Sequence, residues 1–246
     1  MKKLAPQSVL AIIAGLLLFS SASAQVPDLA GIKLGDTEVQ ALAGAKKYFG
    51  KIPTEKDDFY EINTKAPLGF EMRQSNRGVP VDRHTINHVK VGLGSAKRVQ
   101  YIELTRSYMG DPENRPSFHN LSEAIQSKFG QPSVVDVNMG ISLIAFWFYD
   151  AQMQQISGDQ VPRHCRLLPS KQGTGIETPN VARPKCPISV RLSISKEIKI
   201  PDLVSDYNLT IFDEPALMAD IRAQDDAERK KREAESAAGR AVKPKL

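Results

Sequence analysis

Residues 117–150 read SFHNLSEAIQSKFGQPSVVDVNMGISLIAFWFYD, and this stretch decides the fold. Its first part predicts a short amphipathic helix, because four large apolar side chains recur at helical spacing on one face. Ser117 or Asn120 can cap this helix, and Glu123 follows Asn120 at the spacing of a capping box. Gly130 then ends the helix, since glycine adopts the left-handed C-terminal conformation without a steric clash.

The second part of the stretch, residues 141–149, predicts a central β-strand. These residues are mostly β-formers, include the single Trp of the chain, and are too few to cross a membrane. Their nearly continuous apolarity indicates burial on both faces of the sheet rather than an open groove. The alternative is an aromatic ligand-binding face, with a dry pocket beneath Phe146 and Phe148.

Residues 1–24 have the layout of a secretory signal peptide, with two lysines, an apolar core at residues 9–19 and a small-residue cleavage site that ends at Ala24. The apolar core is shorter than the ~20 residues of a membrane span, which disfavours the alternative of an uncleaved anchor. We therefore expect cleavage after Ala24 and a mature protein in the periplasm. Outright secretion is the alternative location.

The charge balance of the 246-residue chain limits its partners. Loss of residues 1–24 would reduce 33 basic residues to 31, against 28 acidic ones, for a net charge of +3. A balance this even argues against nucleic acid as a partner. No later segment is long and apolar enough to span a membrane. We expect another envelope protein as the partner.

The chain has two cysteines, Cys165 and Cys186. In an oxidising compartment they most simply form one disulfide, and their spacing does not match a C-x-x-C redox pair. The bond would close a loop of about 20 residues within the Gly- and Pro-rich segment 152–187, a cross-link worth on the order of 3 kcal/mol on loop-entropy grounds. Long irregular segments of this kind are often functional.

The rest of the chain predicts an α+β fold, an antiparallel sheet with two packed helices and a C-terminal helix. Thr37 and Gln40 have capping-box spacing at the start of the first helix. Alternating apolar residues predict strands by their period of two. These strands are expected at residues 59–64, 70–74, 85–93, 98–108, 141–149, 188–194 and 204–212.

A short echo in the sequence indicates two similar units. Residues 47–50, KYFG, match residues 128–130, KFG, and in both places a capped helix ends and strands follow. This pattern favours a domain at residues 25–222, built from two helix-plus-three-strand units at 25–115 and 116–222.

Residues 223–246 are expected to form a charged helical or disordered tail. Opposite charges stand four residues apart there, as in Asp225 with Arg229, a spacing that supports a solvated helix. The alternative is a tail that tethers the protein or binds a partner.

The segment Ile32-Lys33-Leu34-Gly35-Asp36-Thr37-Glu38-Val39 resembles the N-terminal motif of small bacterial envelope proteins of the SmpA/OmlA type. In those proteins a glycine-led cap precedes a Val-bearing helix. The resemblance implies a helix-plus-antiparallel-sheet fold, shared with β-lactamase-inhibitor-protein-like folds, and a non-enzymatic binding module of the cell envelope. The chain departs from that type in its length and in having no lipidation cysteine.

No residue is predicted to be catalytic, to bind a cofactor or to ligate a metal. His84 and His88 are four apart, but no carboxylate–histidine pattern completes a metal site, so they are interpreted as surface or hairpin-edge residues. His119 and His164 have no evident catalytic companion, and a disulfide-bonded Cys165 is not a nucleophile. Nucleophile-elbow, Walker, dinucleotide and H-E-x-x-H motifs are absent.

Three functions remain open. The preferred one is an exported, non-catalytic binding or envelope-assembly protein of unknown partner. The alternatives are a periplasmic enzyme of hydrolase type and a carrier of a small apolar ligand. Converging His, Asp or Glu side chains in a deep pocket would favour the enzyme, and a dry aromatic pocket would favour the carrier. A closed core with an exposed apolar patch would favour the binding module.

Overall fold

The computed structural model describes residues 27–60, 67–80, 86–108, 112–138, 142–166, 186–200 and 202–241. Its helices α1, α2 and α3 span Glu38–Phe49, Phe118–Phe129 and Glu214–Ala241. Its strands β1 to β11 span Asp28–Leu29, Ile32–Lys33, Thr54–Tyr60, Pro67–Gln74, Ile86–Leu93, Val99–Ser107, Val134–Asn138, Ser142–Tyr149, Gln155–Ile156, Ile188–Lys196 and Val204–Phe212. The predicted α+β class, with an antiparallel sheet and a C-terminal helix, is confirmed. Among the described helices, none is long and apolar enough to cross a membrane.

The main sheet consists of two copies of one arrangement. In each copy a helix precedes four strands: α1 leads into β3–β6, and α2 into β7, β8, β10 and β11. The last strands of the two copies, β6 and β11, pair antiparallel at the centre of the sheet, with Leu104 opposite Leu209. The strand order is β3-β4-β5-β6-β11-β10-β8-β7, with β9 also on β8. Each copy therefore has one strand more than the predicted three.

One predicted strand is displaced in the structure, and four strands, β1, β2, β7 and β9, were not predicted. The first strand is β3 at Thr54–Tyr60, earlier than the predicted 59–64, of which 61–64 lie outside the described residues. The link after α2 contains the unpredicted β7, which pairs along β8 through Val134–Asn138. Both β3 and β7 are edge strands with charged or polar residues, so neither shows the apolar run by which a buried strand is recognised.

The helix starts follow local capping chemistry. The Thr37 hydroxyl accepts from the Gln40 amide, and the Gln40 side chain accepts from the Thr37 amide, so the predicted capping box of α1 is present. At α2 the cap is Ser117, whose hydroxyl accepts from the Asn120 amide at 3.1 Å. The alternative box from Asn120 to Glu123 is wrong, because both residues already lie inside the helix.

The two faces of the sheet differ in chemistry. Helices α1 and α2 cover one face, and the main core lies between them and the sheet. Successive side chains of a strand point to opposite faces, so each central strand contributes apolar residues to the core and polar ones to the other face. The core side of the central strands carries Val89, Val91, Ile102, Leu104, Val190, Leu192, Ile194, Leu209 and Ile211. We call the opposite side the polar face.

Strand β8 is buried on both faces, as its continuous apolarity predicts. Trp147 faces the main core, where its ring nitrogen donates to the carbonyl of Gly130 at 2.8 Å. Phe146 and Phe148 face the other side, where their rings stack with centroids 5.7 Å apart. They form a second cluster with the disulfide and with residues of the segment after β8.

The predicted disulfide between Cys165 and Cys186 is present, and both residues are buried. Segment 152–187 begins with β9 and two short 3-10 turns at Gly158–Gln160 and Arg163–Arg166. Residues 167–185 of this segment lie outside the described part of the chain. The disulfide thus joins the end of the second turn to the start of β10.

Helix α3 extends through most of the predicted tail. Its first turns are anchored, because the Asp220 carboxylate accepts from the Ser95 amide at 2.8 Å and from the Gln100 side chain at 2.7 Å. Residues 222–236 are all exposed. Their charges pair along the helix, as in Asp226 with Arg229 at 2.8 Å.

Candidate functional site

A cavity of about 410 Å³ lies on the polar face where the two units meet. Strands β5, β6, β10 and β11 supply most of its wall, and β8, the start of α3 and Cys165 of the second 3-10 turn complete it. Its lining residues with acidic or basic side chains are His88, Glu103, Arg191, Asp206 and Glu214. These residues come from four strands and one helix, so the cavity depends on the assembly of both units.

The register of the sheet aligns the cavity side chains in rows. In one row Thr105 lies between His88 on β5 and Asn208 on β11, and Asn208 lies opposite Ser193 on β10. Directly opposed residues of antiparallel strands have Cβ atoms about 4.5–5.5 Å apart, so their side chains meet on one face. Row by row, the pairing brings distant parts of the sequence into contact.

Glu103 is the centre of a hydrogen-bond network in the cavity. Its carboxylate accepts from the Tyr101 hydroxyl, from the Thr105 hydroxyl at 3.2 Å and from the Asn208 amide nitrogen. The same Asn208 nitrogen donates to the Thr105 hydroxyl at 2.7 Å, and the Asn208 oxygen accepts from Thr210 at 2.9 Å. Each side chain limits the rotamers of its neighbours, so the network is held in position across β6 and β11.

Asp206 is a second carboxylate of the cavity that hydrogen bonds keep in position. It accepts from the Ser195 hydroxyl at 3.0 Å and from the Ser205 hydroxyl at 2.8 Å. One of these donors is on the neighbouring strand β10 and the other precedes Asp206 on β11. The position of this carboxylate is therefore set by strand pairing as well as by its own backbone.

His88 is oriented by a carboxylate from the next strand. Its Nδ1 lies 2.9 Å from a carboxylate oxygen of Glu71 on β4. The hydrogen bond from His88 is the main cause that lowers the pKa of Glu71, and the positive charges of Lys90 and Arg73 act in the same direction, against the effect of burial. The other ring nitrogen of His88, Nε2, is buried and has no hydrogen-bond partner among the described residues.

The structure corrects the interpretation of His88. The side chain is 25% exposed and has a carboxylate partner, so it is part of the cavity wall rather than a hairpin-edge residue without one. The Glu71 partner was missed because it is 17 positions away and meets His88 only through the pairing of β4 with β5. His84 lies outside the described residues.

The other two histidines stay apart from the cavity chemistry. His119 pairs with Glu123 at 3.2 Å on the exposed side of α2. His164 lies beside the disulfide, and its ring nitrogen is within 4.8 Å of the sulfur atoms of Cys165 and Cys186. Metal binding by cysteine needs a thiolate, and the disulfide removes both thiolates. This trio is therefore no metal site in the oxidised protein.

Sequence reasoning missed the carboxylates and amide of the cavity. Glu103 and Asn208 are 105 positions apart, and no motif joins them. The available signal was the alternation of polar with apolar residues along β6 and β11, where Glu103, Thr105, Asn208 and Thr210 all fall on one face. That pattern identifies a polar face, but it does not show which two strands are neighbours.

Comparison of the chain with protein-family models, curated proteins and solved structures finds no match. The resemblance of residues 32–39 to the SmpA/OmlA type stays a prediction. The function of the cavity is accordingly argued from the geometry and chemistry of its residues.

Proposed function

We propose that this chain is an exported periplasmic binding protein without catalytic activity, and that its cavity holds a small polar ligand. The network around Glu103 and Asn208 carries this proposal. Five side chains fix one another inside a cavity of about 410 Å³, within the ~300–1,000 Å³ typical of small-molecule sites. Polar groups that are in position before the ligand arrives lose little freedom when it binds.

The hydrogen bonds of the cavity favour binding over hydrolysis. A serine or threonine nucleophile needs a base within hydrogen-bond reach. The Thr105 hydroxyl donates to Glu103, and the Ser205 hydroxyl donates to Asp206. His88 is the candidate base, but its Nε2 contacts no hydroxyl of the described residues. His88 therefore pairs with neither hydroxyl, and we assign both hydroxyls to holding the carboxylates in place.

The cavity also favours a polar ligand over an apolar one. Phe146 and Phe148 stack on each other and pack against the disulfide, so their rings fill the space that a carrier would keep for its cargo. Phe146 reaches the cavity, but ten of the sixteen lining residues carry a hydroxyl, carboxylate or amide group. Such groups recover their hydrogen bonds only with a polar ligand.

The compartment belongs to the same proposal. The signal-like residues 1–24 support export, and the disulfide of Cys165 with Cys186 fits an oxidising compartment. An envelope protein that delivers or receives the ligand is the proposed partner, because the periplasm is where the two would meet.

The test of the proposed function begins with the location. Expression in a bacterial host should release the protein from the periplasm with Gln25 as its first residue. Isotope-labelled protein from that fraction is then titrated with the low-molecular-weight part of an envelope extract. Chemical-shift changes measured by NMR should concentrate on the amides of residues that line the cavity.

Two tryptophan substitutions make the test specific. Ser193→Trp places a large ring in the cavity and should abolish the shifts. Val135→Trp is the matched control, because Val135 is 50% exposed on β7 and does not line the cavity. Shifts that persist in Ser193→Trp, or that spread evenly over the surface, would contradict the cavity as the ligand site. Retention of uncleaved protein in the cytoplasm would contradict export.

A further inference from the structure

We infer that the ligand of this cavity carries a protonated primary amine. The inference rests on the proposed binding function and adds the chemical class of the ligand. The described lining residues include three carboxylates, of Glu103, Asp206 and Glu214, and one guanidinium, of Arg191. Their formal charges sum to −2 when His88 is counted as neutral. In a partly enclosed site of low dielectric this excess attracts a cation more strongly than it would in water.

The donors around Glu103 are already engaged within the protein. The Tyr101 hydroxyl, the Thr105 hydroxyl and the Asn208 amide all donate to this carboxylate. A carboxylate offers about four acceptor positions and no donor. These three hydrogen bonds engage the donors of the network, whereas the Glu103 carboxylate keeps about one acceptor position. A ligand group that contacts Glu103 is expected to bring a hydrogen-bond donor.

Asp206 leads to the same conclusion from another part of the wall. Each of its carboxylate oxygens accepts one serine hydroxyl, from Ser195 at Oδ1 and from Ser205 at Oδ2. About two of its four acceptor positions remain after these bonds. The Ser195 proton is directed to Asp206, and the Ser205 proton is shared between Asp206 and the Ser195 carbonyl, so neither is offered to a ligand acceptor.

His88 provides an observation that is independent of these two acids. Its Nδ1 faces the Glu71 carboxylate at 2.9 Å, so in the neutral imidazole the proton belongs on Nδ1 and Nε2 is an acceptor. That Nε2 is buried without a hydrogen-bond partner among the described residues. A buried acceptor in this state is stabilised by an incoming N–H donor. The His88 side chain is also part of the cavity wall.

The aromatic residues of the wall fit a cation as well. Tyr101 and Phe212 make an edge-to-face contact with centroids 5.9 Å apart, and Phe146 also lines the cavity. Aromatic faces attract ammonium groups through their quadrupole. A primary ammonium has three N–H donors, so it satisfies acceptors and rings together. A quaternary ammonium would satisfy the rings alone, and a carboxylate ligand would meet the excess negative charge.

The test measures binding by calorimetry at low salt with the full protein. The probes are cadaverine, the diol of the same chain length, glutarate, tetramethylammonium, and a short capped peptide with one lysine. Cadaverine or the lysine peptide should bind, and added salt should weaken the binding. The diol, glutarate and tetramethylammonium should bind at least about tenfold more weakly, the loss expected for one charge-assisted hydrogen bond.

Two isosteric variants and one control assign the effect to the cavity. Glu103→Gln and Asp206→Asn keep the side-chain size and should each weaken amine binding about tenfold. Asp57→Asn should leave it unchanged, because Asp57 faces the same side of the sheet but lies on the edge strand β3, outside the cavity wall. Thermal unfolding of each variant shows that it is folded.

The outcomes distinguish a free amine from a lysine side chain, and they test the amine inference separately from the binding function. Binding of cadaverine alone assigns a free amine, and equal or tighter binding of the peptide assigns a lysine side chain of a partner. Diol or glutarate binding as tight as that of cadaverine overturns the inference while the binding function stands. Absence of any amine binding also overturns it, and the extract titration then decides the binding function separately.

Discussion

At the scale of single residues, burial changes the ionisation of a tyrosine in the main core. The Tyr149 hydroxyl donates to the carbonyl of Phe129 at 3.3 Å, where β8 packs against the end of α2. Burial raises the pKa of Tyr149 to about 12 from a model-peptide value of 10.0. The folded state therefore keeps this proton at a pH where the unfolded chain loses it. Its contribution to stability is complete below about pH 10 and is lost as the pH rises towards 12.

Replacement of Tyr149 by Phe tests this linkage. The variant lacks the titrating hydroxyl, so its free energy of unfolding should decline less between about pH 10 and pH 12 than that of the wild type. Urea unfolding followed by circular dichroism at several pH values measures the difference. If the free energies of unfolding of the two proteins differ by a constant amount between about pH 10 and pH 12, the pKa of the Tyr149 hydroxyl does not change on folding.

At the scale of elements, β8 organises two apolar clusters at once. Trp147 belongs to the core under the helices, and Phe148 belongs to the cluster under the disulfide. The strand therefore connects the helix layer to the segment that Cys165 and Cys186 close. Burial on both faces is the reason that almost every residue of β8 is apolar.

The Phe148→Ala substitution tests the role of the second cluster. Phe148 is 1% exposed, and its loss should reduce the free energy of unfolding by ~3–5 kcal/mol, because a cavity remains where the ring was. Val135→Ala, at a side chain that is 50% exposed on β7, is the control and should change stability by less than about 0.5 kcal/mol. A melting temperature of Phe148→Ala equal to that of the wild type would show that the cluster contributes little.

At the scale of the whole molecule, the folded body ends within the first turns of α3. Asp220 binds the turn between β5 and β6, and the residues at 222–236 are all exposed. The two four-strand units meet at β6 and β11, and α3 follows β11 directly. Stability should therefore depend on the anchored start of α3 and not on its exposed part.

Truncation after Ala223 should leave a single cooperative unfolding transition with an unchanged midpoint. Truncation after Met218 removes Asp220 and its hydrogen bonds to Ser95 and Gln100, and should lower the midpoint. Denaturant unfolding followed by tryptophan fluorescence reports both, because Trp147 lies in the main core. A broadened unfolding transition after truncation at Ala223 would show that the distal part of α3 belongs to the core.

The sequence determined the features that depend on local chemistry. The apolar run of β8, the caps at Thr37 and Ser117 and the pair of cysteines each carry their own signal within a few residues or in the composition. The edge strand β7 escaped prediction because among the described strands it pairs only with β8, and its Val135 and Asp136 are exposed. The alternation of apolar with polar residues along the central strands also marks one polar side.

Only the tertiary structure decided where that polar side becomes a site. Glu103 meets Asn208 across 105 positions, and His88 meets Glu71, because the strand order and register bring them to the same face. Register is set by the packing of the whole sheet on α1 and α2, so no single segment encodes it. Side-chain periodicity is local information, whereas the choice of neighbouring strands is a property of the assembled core.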